Sequence, residues 1–231
     1  MYYRGADRGN YSPVDRTRDS IKYIVVHYTA GNGDTARNNV DYFARACVKA
    51  SAHYFVDDNE VCSSVPWNNV AWHCGGTLMN PNGGAFYGKV TNFNSIGVEM
   101  CSRKDAAGSY YFTNEVIDNA AQFVATLMQT YKIDIDHVVR HYDVNGKICP
   151  APFIDESTWK AFKNLVMRKF DRLEGKNLYY ENLEQIPEGY LRNTVAELIG
   201  KGIIKGNGNG LHLSEDMIRC IIFCQRLVEA N

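Results

Sequence analysis

The most informative absences in this sequence are those of a long apolar run, of a leader segment and of net charge. No stretch approaches the roughly 18 apolar residues that a membrane-spanning helix needs. The N-terminal segment MYYRGADRGN lacks the basic stretch and following apolar run of a secretory signal. The net charge of −1 excludes the strongly basic surface that is typical of a nucleic-acid-binding protein. We therefore expect no membrane span, no nucleic-acid partner, and synthesis in the cytoplasm without a signal peptide.

The cysteines lack the pattern of a disulfide framework. There are 7 of them, an odd number, and no two form a Cys-x-x-Cys pair. Small secreted domains that depend on disulfides carry even sets of regularly spaced cysteines, so reduced thiols are expected here. Hydrophobic residues make up 45% of the chain, which is enough for an ordinary core without cross-links.

Apolar segments that alternate with amphipathic ones predict an α/β fold, with a central, mostly β-sheet flanked by helices. The segment Ile21–Tyr28 is rich in β-branched and aromatic residues, which is typical of a buried central strand. Further strands are predicted at residues 51–56, 60–65, 95–101 and 137–140. Helices are predicted at about residues 36–50, over about eighteen residues after a Thr113 cap, and from a Ser157 cap to about residue 170.

The character of the sequence changes near Gly175, where we place a domain boundary. Residues 1–174 then form the α/β domain, and residues 175–231 form a linker and a small C-terminal helical module. Two amphipathic helices are predicted there, at about residues 188–199 and 214–228. Between them, Gly202–Gly210 contains a short strand-like piece and a glycine loop.

Three residues in the first domain carry the side chains that zinc prefers. His27 ends the predicted central strand, His141 follows the last predicted strand, and Cys149 comes eight positions later. A catalytic zinc ion takes three protein ligands and keeps one open position, and imidazole and thiolate both suit it. Loops at the carboxyl ends of sheet strands are where α/β proteins place their sites. The pattern alone does not decide the matter, because a histidine at a strand end is more often structural.

Five segments, in order along the chain, resemble the motifs of the zinc-dependent N-acetylmuramoyl-L-alanine amidases. They are VVHYTA, SAHYFVDDNEV, AWHCGG, NSIGVEM and RHYDVNGKICPAPF. This family includes endolysins of the phage-lysozyme type and is similar to the peptidoglycan recognition proteins. The resemblance covers about residues 21–170 and implies hydrolysis of the amide bond between N-acetylmuramic acid and L-alanine in peptidoglycan.

Carried over position by position, the resemblance makes His27, His141 and Cys149 the three ligands of a Zn²⁺ cofactor. Some relatives have aspartate at the third position, so Cys149 places this chain with those that use a thiolate. The alternative for Cys149 is a small core residue. Asp143 is a candidate for orienting His141, with a simple turn residue as the alternative.

The resemblance also assigns two catalytic residues, Glu99 and Lys147. Glu99 matches the glutamate that takes a proton from the attacking water and returns it to the leaving amine, and Lys147 matches a lysine that stabilises the developing oxyanion. A buried structural ion pair is the alternative for Glu99, and a solvated loop residue is the alternative for Lys147. The chain departs from the phage-lysozyme type at Ala52, where that type has a catalytic tyrosine. Because that tyrosine is absent here, Glu99 becomes the stronger candidate for the catalytic role.

Four residues are candidates for binding substrate: His73, Trp72, His53 and Tyr87. His73 matches a family position that lines the cleft, and Trp72 and the loop that carries Phe86 and Tyr87 offer rings for stacking on sugars. For His53, a packed and hydrogen-bonded core histidine is an equally good interpretation.

The C-terminal segment from Ile186 to Leu227 resembles one degenerate S-layer-homology module. Such modules hold proteins on secondary cell-wall polymers, usually in sets of three. A single copy therefore implies either a homo-oligomer or a dimerisation or targeting role. The helix that carries Cys220 and Cys224 is apolar on most sides and must bury against another helix, the other domain or a second chain.

The functional expectation is a zinc amidase that acts on the cell wall as a phage or prophage endolysin after host lysis. A bacterial autolysin exported by another route fits equally. The alternative class is a protein that binds peptidoglycan without cutting it, or a regulatory binding protein. Non-catalytic members of the wider fold typically lack the cysteine ligand, so Cys149 argues against the first of these.

Overall fold

A six-stranded sheet forms the centre of the computed structural model, which describes residues 1–176, 179–186 and 189–229. The strands are β1 (Tyr2–Tyr3), β2 (Tyr11–Ser12), β3 (Tyr23–Tyr28), β4 (Tyr54–Val56), β5 (Val61–Ser63), β6 (Val70–Ala71), β7 (Ser95–Met100), β8 (Arg103–Lys104), β9 (Tyr110–Tyr111), β10 (Val138–Arg140), β11 (Tyr179–Tyr180) and β12 (Leu213–Ser214). The α-helices are α1 (Ala36–Arg45), α2 (Asn114–Tyr131), α3 (His141–Asn145), α4 (Glu156–Leu173), α5 (Tyr190–Gly200) and α6 (Glu215–Glu229). Within the described ranges, every helix is too short or too polar to serve as a membrane span.

The central sheet is mostly parallel. Its strand order is β1-β5-β4-β7-β3-β10, and β4, β7, β3 and β10 all run in the same direction. β5 follows β4 after a short turn and is antiparallel to it, and β1 is parallel to β5. The carboxyl ends of four strands therefore meet at one edge of the sheet, where α/β proteins place their sites.

The two faces of the sheet are covered differently. On one face, α2 and α4 pack over alternate residues of the central strands, including Ile24, Val26, Ile96 and Val98, and form the largest core cluster. On the other face, α1 packs with Phe55 of β4. Because side chains alternate along a strand, the residues between those of the main core face the α1 side. This arrangement confirms the predicted α/β fold with a central sheet flanked by helices.

Helix α1 ends at Arg45, five positions before its predicted end. The segment that follows is held by Asn10 instead: its Oδ1 accepts hydrogen bonds from the backbone N–H groups of Val48, at 2.7 Å, and Lys49, at 3.0 Å. The chain leaves the helix because Asn10, which is fully buried, supplies these alternative acceptors. The local sequence pattern of the helix could not reveal that Asn10, 38 positions before Val48, binds the segment after it.

The helix caps were predicted correctly in one case and wrongly in another. Thr113 caps α2, because its hydroxyl accepts from the Val116 backbone N–H at 3.2 Å. Ser157 does not cap α4. The carboxylate of Asp155 does so, accepting from the N–H groups of Ser157, at 2.8 Å, and Thr158, at 3.2 Å. Aspartate and serine are both good N-cap residues, so the sequence alone could not decide between Asp155 and Ser157.

The chain divides into two compact units, Met1–Leu173 and the part from Glu174 onward. In the second unit, β11 pairs antiparallel with β12, and α5 and α6 bury a small core with Tyr180, Val195 and Ile218 among its members. The strand-like piece predicted within 202–210 is a turn, because the N–H groups of Ile203 and Ile204 bond to Leu198 at the end of α5. Glu188, where the first helix of this unit was predicted to begin, lies outside the described residues.

Candidate metal centre and cleft

Neighbouring parallel strands bring the first two predicted site residues together. His27 and Glu99 occupy matching positions on β3 and β7, one residue before the end of each strand. Their side chains face the α1 side of the sheet, since Val26 and Val98 beside them belong to the core under α2 and α4. The strand register thus places an imidazole beside a carboxylate at the carboxyl edge of the sheet.

The other two predicted ligands arrive from the segment after β10. His141 is the first residue of α3, and Cys149 lies on the loop that follows this short helix. That loop closes back on itself, because the Tyr142 backbone N–H bonds to the Cys149 carbonyl at 2.8 Å. One closed loop therefore presents both side chains to the end of β3.

His27, His141 and Cys149 form a buried cluster whose ligand atoms all lie within 4.8 Å of one another. Cys149 Sγ is 3.5 Å from His27 Nδ1, and the two imidazole rings meet edge to face with centroids 4.8 Å apart. Burial lowers the pKa of His27 well below its usual value and lowers that of His141 to about 4, so both imidazoles are neutral and keep a lone pair for a metal.

The environment of His141 and Cys149 fits a metal ion better than it fits a packed core. Both ring nitrogens of His141 are buried and have no hydrogen-bond partner among the described residues. Such orphaned groups are costly in a folded protein unless a ligand satisfies them. Burial also raises the pKa of the Cys149 thiol, and a coordinating cation is the usual means of deprotonating such a thiol. Two nitrogens and one sulfur suit zinc.

Glu99 lies beside this cluster and is half-buried, with an unpartnered Oε2 atom. Burial raises its pKa to about 8, against the opposing effect of the positive charge of Lys147. No ion pair within the described part of the chain involves Glu99, so the geometry disfavours the alternative of a structural ion pair. A carboxylate with a raised pKa and a free oxygen has the properties of a group that accepts and returns protons near neutral pH.

Glu99 and Lys147 share an open cleft with His27 and Cys149 of the cluster. The cleft has a volume of about 330 Å³, and its lining includes His27, Tyr28, Thr29, Ala30, Asn39, Tyr42, Phe43, Ala50, Ser51, Phe55, Trp72, His73, Glu99, Lys147 and Cys149. Lys147 is exposed, and its charge acts on the pKa values of His27, His141 and Glu99. Thus two residues of the cluster, His27 and Cys149, line one solvent-accessible space together with a carboxylate and an ammonium group.

The predicted substrate-binding residues are distributed over two adjoining depressions. Trp72 lines both the cleft and a neighbouring depression that also contains Tyr87. The Trp72 indole N–H donates to Ser12 Oγ at 2.9 Å, which fixes the ring. Tyr87 is exposed, whereas Phe86 packs edge-on against Tyr23 and is less available for stacking on a sugar.

His53 does not reach the cleft. Its ring is fully buried, with Nδ1 accepting from the Gly97 backbone N–H at 3.0 Å and Nε2 lying 2.8 Å from Arg16 Nη2. Both ring nitrogens are therefore engaged by protein groups, and this environment favours the interpretation of His53 as a core histidine.

Asp143 makes no hydrogen bond to the His141 ring, whose two nitrogens have no partner among the described residues. Its carboxylate binds Arg140, with a 2.7 Å contact to Arg140 Nη2, and it accepts from the Arg140 backbone N–H at 2.7 Å. Asp143 lies in the first turn of α3, where its carboxylate caps the start of the helix, so it is neither a partner that orients His141 nor a simple turn residue. A guanidinium group is a stronger partner for a carboxylate than a neutral imidazole is.

Two sets of residues near the site were missed from sequence. Asn39 and Tyr42 line the cleft from α1. Ser95 and Asn92 bind the His73 segment, as described below. Ser95 is the second residue of the segment NSIGVEM, and its position within that motif was the only indication that the sequence offered.

The comparisons with known proteins agree on one family. A family model described as N-acetylmuramoyl-L-alanine amidase matches residues 17–152. The N-acetylmuramoyl-L-alanine amidase CwlL of Bacillus licheniformis is 40% identical over 149 residues, which are 60% of this chain and 38% of CwlL. The amidase BlyA of Bacillus subtilis (strain 168) is 37% identical over 183 residues, which are 73% of this chain and 48% of BlyA.

Two solved structures share the fold of the first unit. The structure of PlyL matches with a TM-score of 0.57 and 30% sequence identity, covering 72% of this chain and 96% of that chain. The catalytic domain of XlyA matches with a TM-score of 0.56 and 28% identity, covering 71% of this chain and 97% of that chain. By contrast, this chain spans less than half the length of the curated relatives CwlL and BlyA.

Proposed function

This chain belongs to the N-acetylmuramoyl-L-alanine amidase family, and we propose that it hydrolyses the amide bond between N-acetylmuramic acid and L-alanine in peptidoglycan. The observation that carries the proposal is the convergence of His27, His141 and Cys149, buried and with ligand atoms within 4.8 Å of one another, at an open cleft that His27, Cys149 and Glu99 line. A site of this kind fits metal-assisted amide hydrolysis, in which a metal ion and a proton-accepting carboxylate act together.

His27, His141 and Cys149 would hold a zinc ion. Zinc in such a site polarises a carbonyl group and activates a water molecule at neutral pH. Three protein side chains leave one position open for the reactants, which is the arrangement of catalytic rather than structural zinc sites. The protein contributes two neutral imidazoles and one thiol, which a bound cation would deprotonate, on a strand and a closed loop.

Glu99 is proposed to carry the proton. In its ionised form it accepts the proton of the attacking water, and it then delivers that proton to the nitrogen of L-alanine as the amide bond breaks. Its unpartnered Oε2 atom leaves a lone pair for this task. Lys147 is proposed to stabilise the negative charge that develops on the attacked carbonyl oxygen, because its ammonium group lines the same cleft.

The substrate is proposed to lie across the two adjoining depressions. Trp72 is the residue common to both, and Tyr87 is exposed in the second, so both rings can stack on sugar faces. Tyr42 on α1, which is 49% exposed, also lines the cleft. The glycan strand and the stem peptide would then leave the reacting amide in different directions.

The first test of this function is zinc-dependent release of muropeptides from purified peptidoglycan. We expect new L-alanine amino ends and intact glycan, with release lost after chelation and restored by added zinc. Mass spectrometry of the released fragments identifies which bond is cut. Glycan cleavage, or cleavage inside the stem peptide, would contradict the proposed bond specificity.

Peptidoglycan that stays intact although zinc is bound would favour the second candidate, a recognition or regulatory binding protein. The observation against that candidate is the presence of Glu99 and Lys147 in the same cleft as the ligand cluster. A co-sedimentation assay with peptidoglycan separates a recognition protein, which still binds the wall, from a regulator, which binds another protein.

The biological role is proposed to be that of a phage or prophage endolysin that reaches the cell wall after host lysis. Relatives named as amidases occur in Bacillus, and one of the matching structures is titled as a mutant endolysin from Bacillus subtilis. The substrate is then bacterial peptidoglycan from the cytoplasmic side, without a need for export by a signal peptide.

The part of the chain from residue 175 to 231 is proposed to be a module that binds a secondary cell-wall polymer or joins copies of the chain. Its support is a core of its own, built from α5, α6 and the β11–β12 pair, in a unit separate from the amidase unit. The pattern of two helices around a glycine loop is what the S-layer-homology resemblance rests on.

Co-sedimentation of the full chain with cell walls tests this second role, with a chelator present to prevent digestion. We expect binding to fall when secondary polymers are stripped from the peptidoglycan, or light scattering to show a stable oligomer. A monomer that binds stripped and intact walls equally well would contradict both forms of the proposal.

A further inference from the structure

A chain of short hydrogen bonds runs from the metal cluster into the protein. His27 Nε2 lies 3.0 Å from His73 Nδ1, and His73 Nε2 lies 3.2 Å from Ser95 Oγ. The Ser95 hydroxyl in turn lies 2.6 Å from the carbonyl oxygen of Thr91. No part of the proposed reaction uses this chain, and its far end lies on the segment that leads into β7.

We propose that His73 is a positioning residue for the metal, and that the relay Thr91–Ser95–His73 holds His27 with its Nδ1 lone pair directed at the metal cluster. This inference rests on the proposed metal site and goes beyond it, because it assigns the tautomer of a ligand and a role to two residues outside the ligand set.

The direction of each bond follows from what the atoms can do. A carbonyl oxygen only accepts, so the Ser95 hydroxyl donates its single hydrogen to Thr91. Ser95 Oγ can then only accept from His73, which places the His73 proton on Nε2. Cys74 Sγ, 3.7 Å from Ser95 Oγ, donates to the remaining lone pair, so the hydroxyl is fully satisfied.

The donor and acceptor nitrogens of His27 follow from the same reasoning. A neutral His73 ring with its proton on Nε2 accepts at Nδ1, so His27 Nε2 must be the donor of the 3.0 Å bond. His27 then has a bare Nδ1, which is the atom that lies 3.5 Å from Cys149 Sγ. A second proton on His73 would place positive charge beside a ligand of a divalent cation, which electrostatics disfavours.

The surrounding backbone is built to hold the His73 ring in this place. Asn92 Oδ1 accepts from the backbone N–H groups of both His73, at 3.0 Å, and Cys74, at 2.8 Å. Gly97 on β7 leaves the space that the ring occupies, because a Cβ there would lie 2.6 Å from His73 Cγ. The absence of a side chain at Gly97 and the two backbone hydrogen bonds to Asn92 thus both hold the His73 imidazole in place.

This arrangement changes the role expected of His73. Its two ring nitrogens face His27 and Ser95, so neither remains to contact a substrate in the cleft. A metal-ligating histidine usually donates its second N–H to a protein acceptor, and loss of that acceptor typically lowers metal affinity about 10–100-fold. Here the acceptor is a second histidine whose own tautomer is set by a serine.

The first experiment reads the tautomers directly. Two-dimensional ¹H–¹⁵N NMR of the histidine side chains distinguishes protonation at Nδ1 from protonation at Nε2, and it is applied to the unmodified zinc-bound protein. We expect both His27 and His73 to carry their protons on Nε2. A His27 ring protonated on Nδ1, or a His73 ring protonated on Nδ1, would overturn the proposal without any variant.

The second experiment measures the zinc dissociation constant of variants by competition with a chelator. His73→Phe removes the acceptor and is expected to weaken zinc binding about 10–100-fold. His73→Asn restores an acceptor near the Nδ1 position and should recover part of that loss. Ser95→Ala keeps the His27–His73 contact and is expected to cause a smaller loss. Cys74→Ala, which touches Ser95 from outside the relay, is the matched control and should bind zinc like the wild type.

Equal zinc affinity in the wild type, His73→Phe and Ser95→Ala would overturn the inference even if all three proteins digest peptidoglycan. Conversely, a protein that binds zinc with the expected ranking but never cuts peptidoglycan would refute the proposed function and leave the relay intact. The affinity and NMR measurements therefore separate the two proposals.

Discussion

Replacement of Glu99 by glutamine is expected to lower amide hydrolysis by about 10²–10⁴-fold while zinc binding stays close to that of the wild type. The magnitude is the usual contribution of a positioned general acid–base group. Glutamine keeps the size of the side chain but can neither accept a proton from water nor return one to the leaving amine. The measurement is the initial rate of muropeptide release by variant and wild type at equal zinc content.

The structure indicates why this change should leave the fold intact. Burial raises the Glu99 pKa to about 8, so the folded protein makes the charged form costly. A neutral amide of the same shape removes that cost. The general base must be ionised to act, and a divalent cation held nearby would favour the ionised form. Activity that depends on Glu99 therefore also depends on the charge in the metal site.

A control for Glu99→Gln is Glu115→Gln, which changes an exposed carboxylate in the first turn of α2. This variant should retain wild-type rates. If Glu99→Gln also retained wild-type rates, Glu99 would not be the base, and the proton would have to pass to another group that lines the cleft.

Much of the candidate site could be predicted because it depends on local patterns and on one simple topological rule. The apolar segment before His27 and the segment that carries Glu99 both read as strands, and parallel strands present their carboxyl ends at one edge. The pairing register of the two strands could not be predicted from the sequence. That His27 and Glu99 face each other on neighbouring strands follows from the pairing of β3 with β7, which is a tertiary result.

The parts that could not be predicted depend on partners far away in sequence. His53 is tied to Arg16, 37 positions earlier, and this contact places it in the core rather than in the cleft. Asp143 binds Arg140 because a guanidinium group is a better partner for it than a neutral imidazole. The hydrogen bond between His27 and His73 spans 46 positions, so only the folded chain shows that His73 has no free ring nitrogen.

Removal of the Cys149 side chain is expected to abolish stable zinc binding and, with it, amide hydrolysis. Cys149→Ala deletes one of the three proposed ligands at a position that is 3% exposed, where solvent cannot easily supply a replacement. The loss should exceed the roughly 10–100-fold that supporting residues around a metal cost. Zinc content after dialysis, measured by elemental analysis, and the rate of muropeptide release are the two readouts.

Thermal unfolding gives an independent readout of the same change. A ligand that binds only the folded state raises the melting temperature, so zinc should stabilise the wild type and not Cys149→Ala. Cys62→Ala is the matched control, since Cys62 is an equally buried cysteine in the core beside α1. It loses a similar side-chain volume but should keep both zinc binding and the stabilisation by zinc.

The variant Cys149→Asp distinguishes a ligand from a packing residue. Aspartate offers an oxygen ligand that zinc accepts, but it is a poor substitute for a small apolar group in a core. If Cys149 is a ligand, Cys149→Asp should retain part of the zinc binding that Cys149→Ala loses. If Cys149 only packs, Cys149→Ala should be the milder change and both proteins should hold zinc as the wild type does. The relative zinc affinities of Cys149→Asp and Cys149→Ala therefore decide whether Cys149 is a metal ligand or a packing residue. This decision does not depend on the peptidoglycan assay.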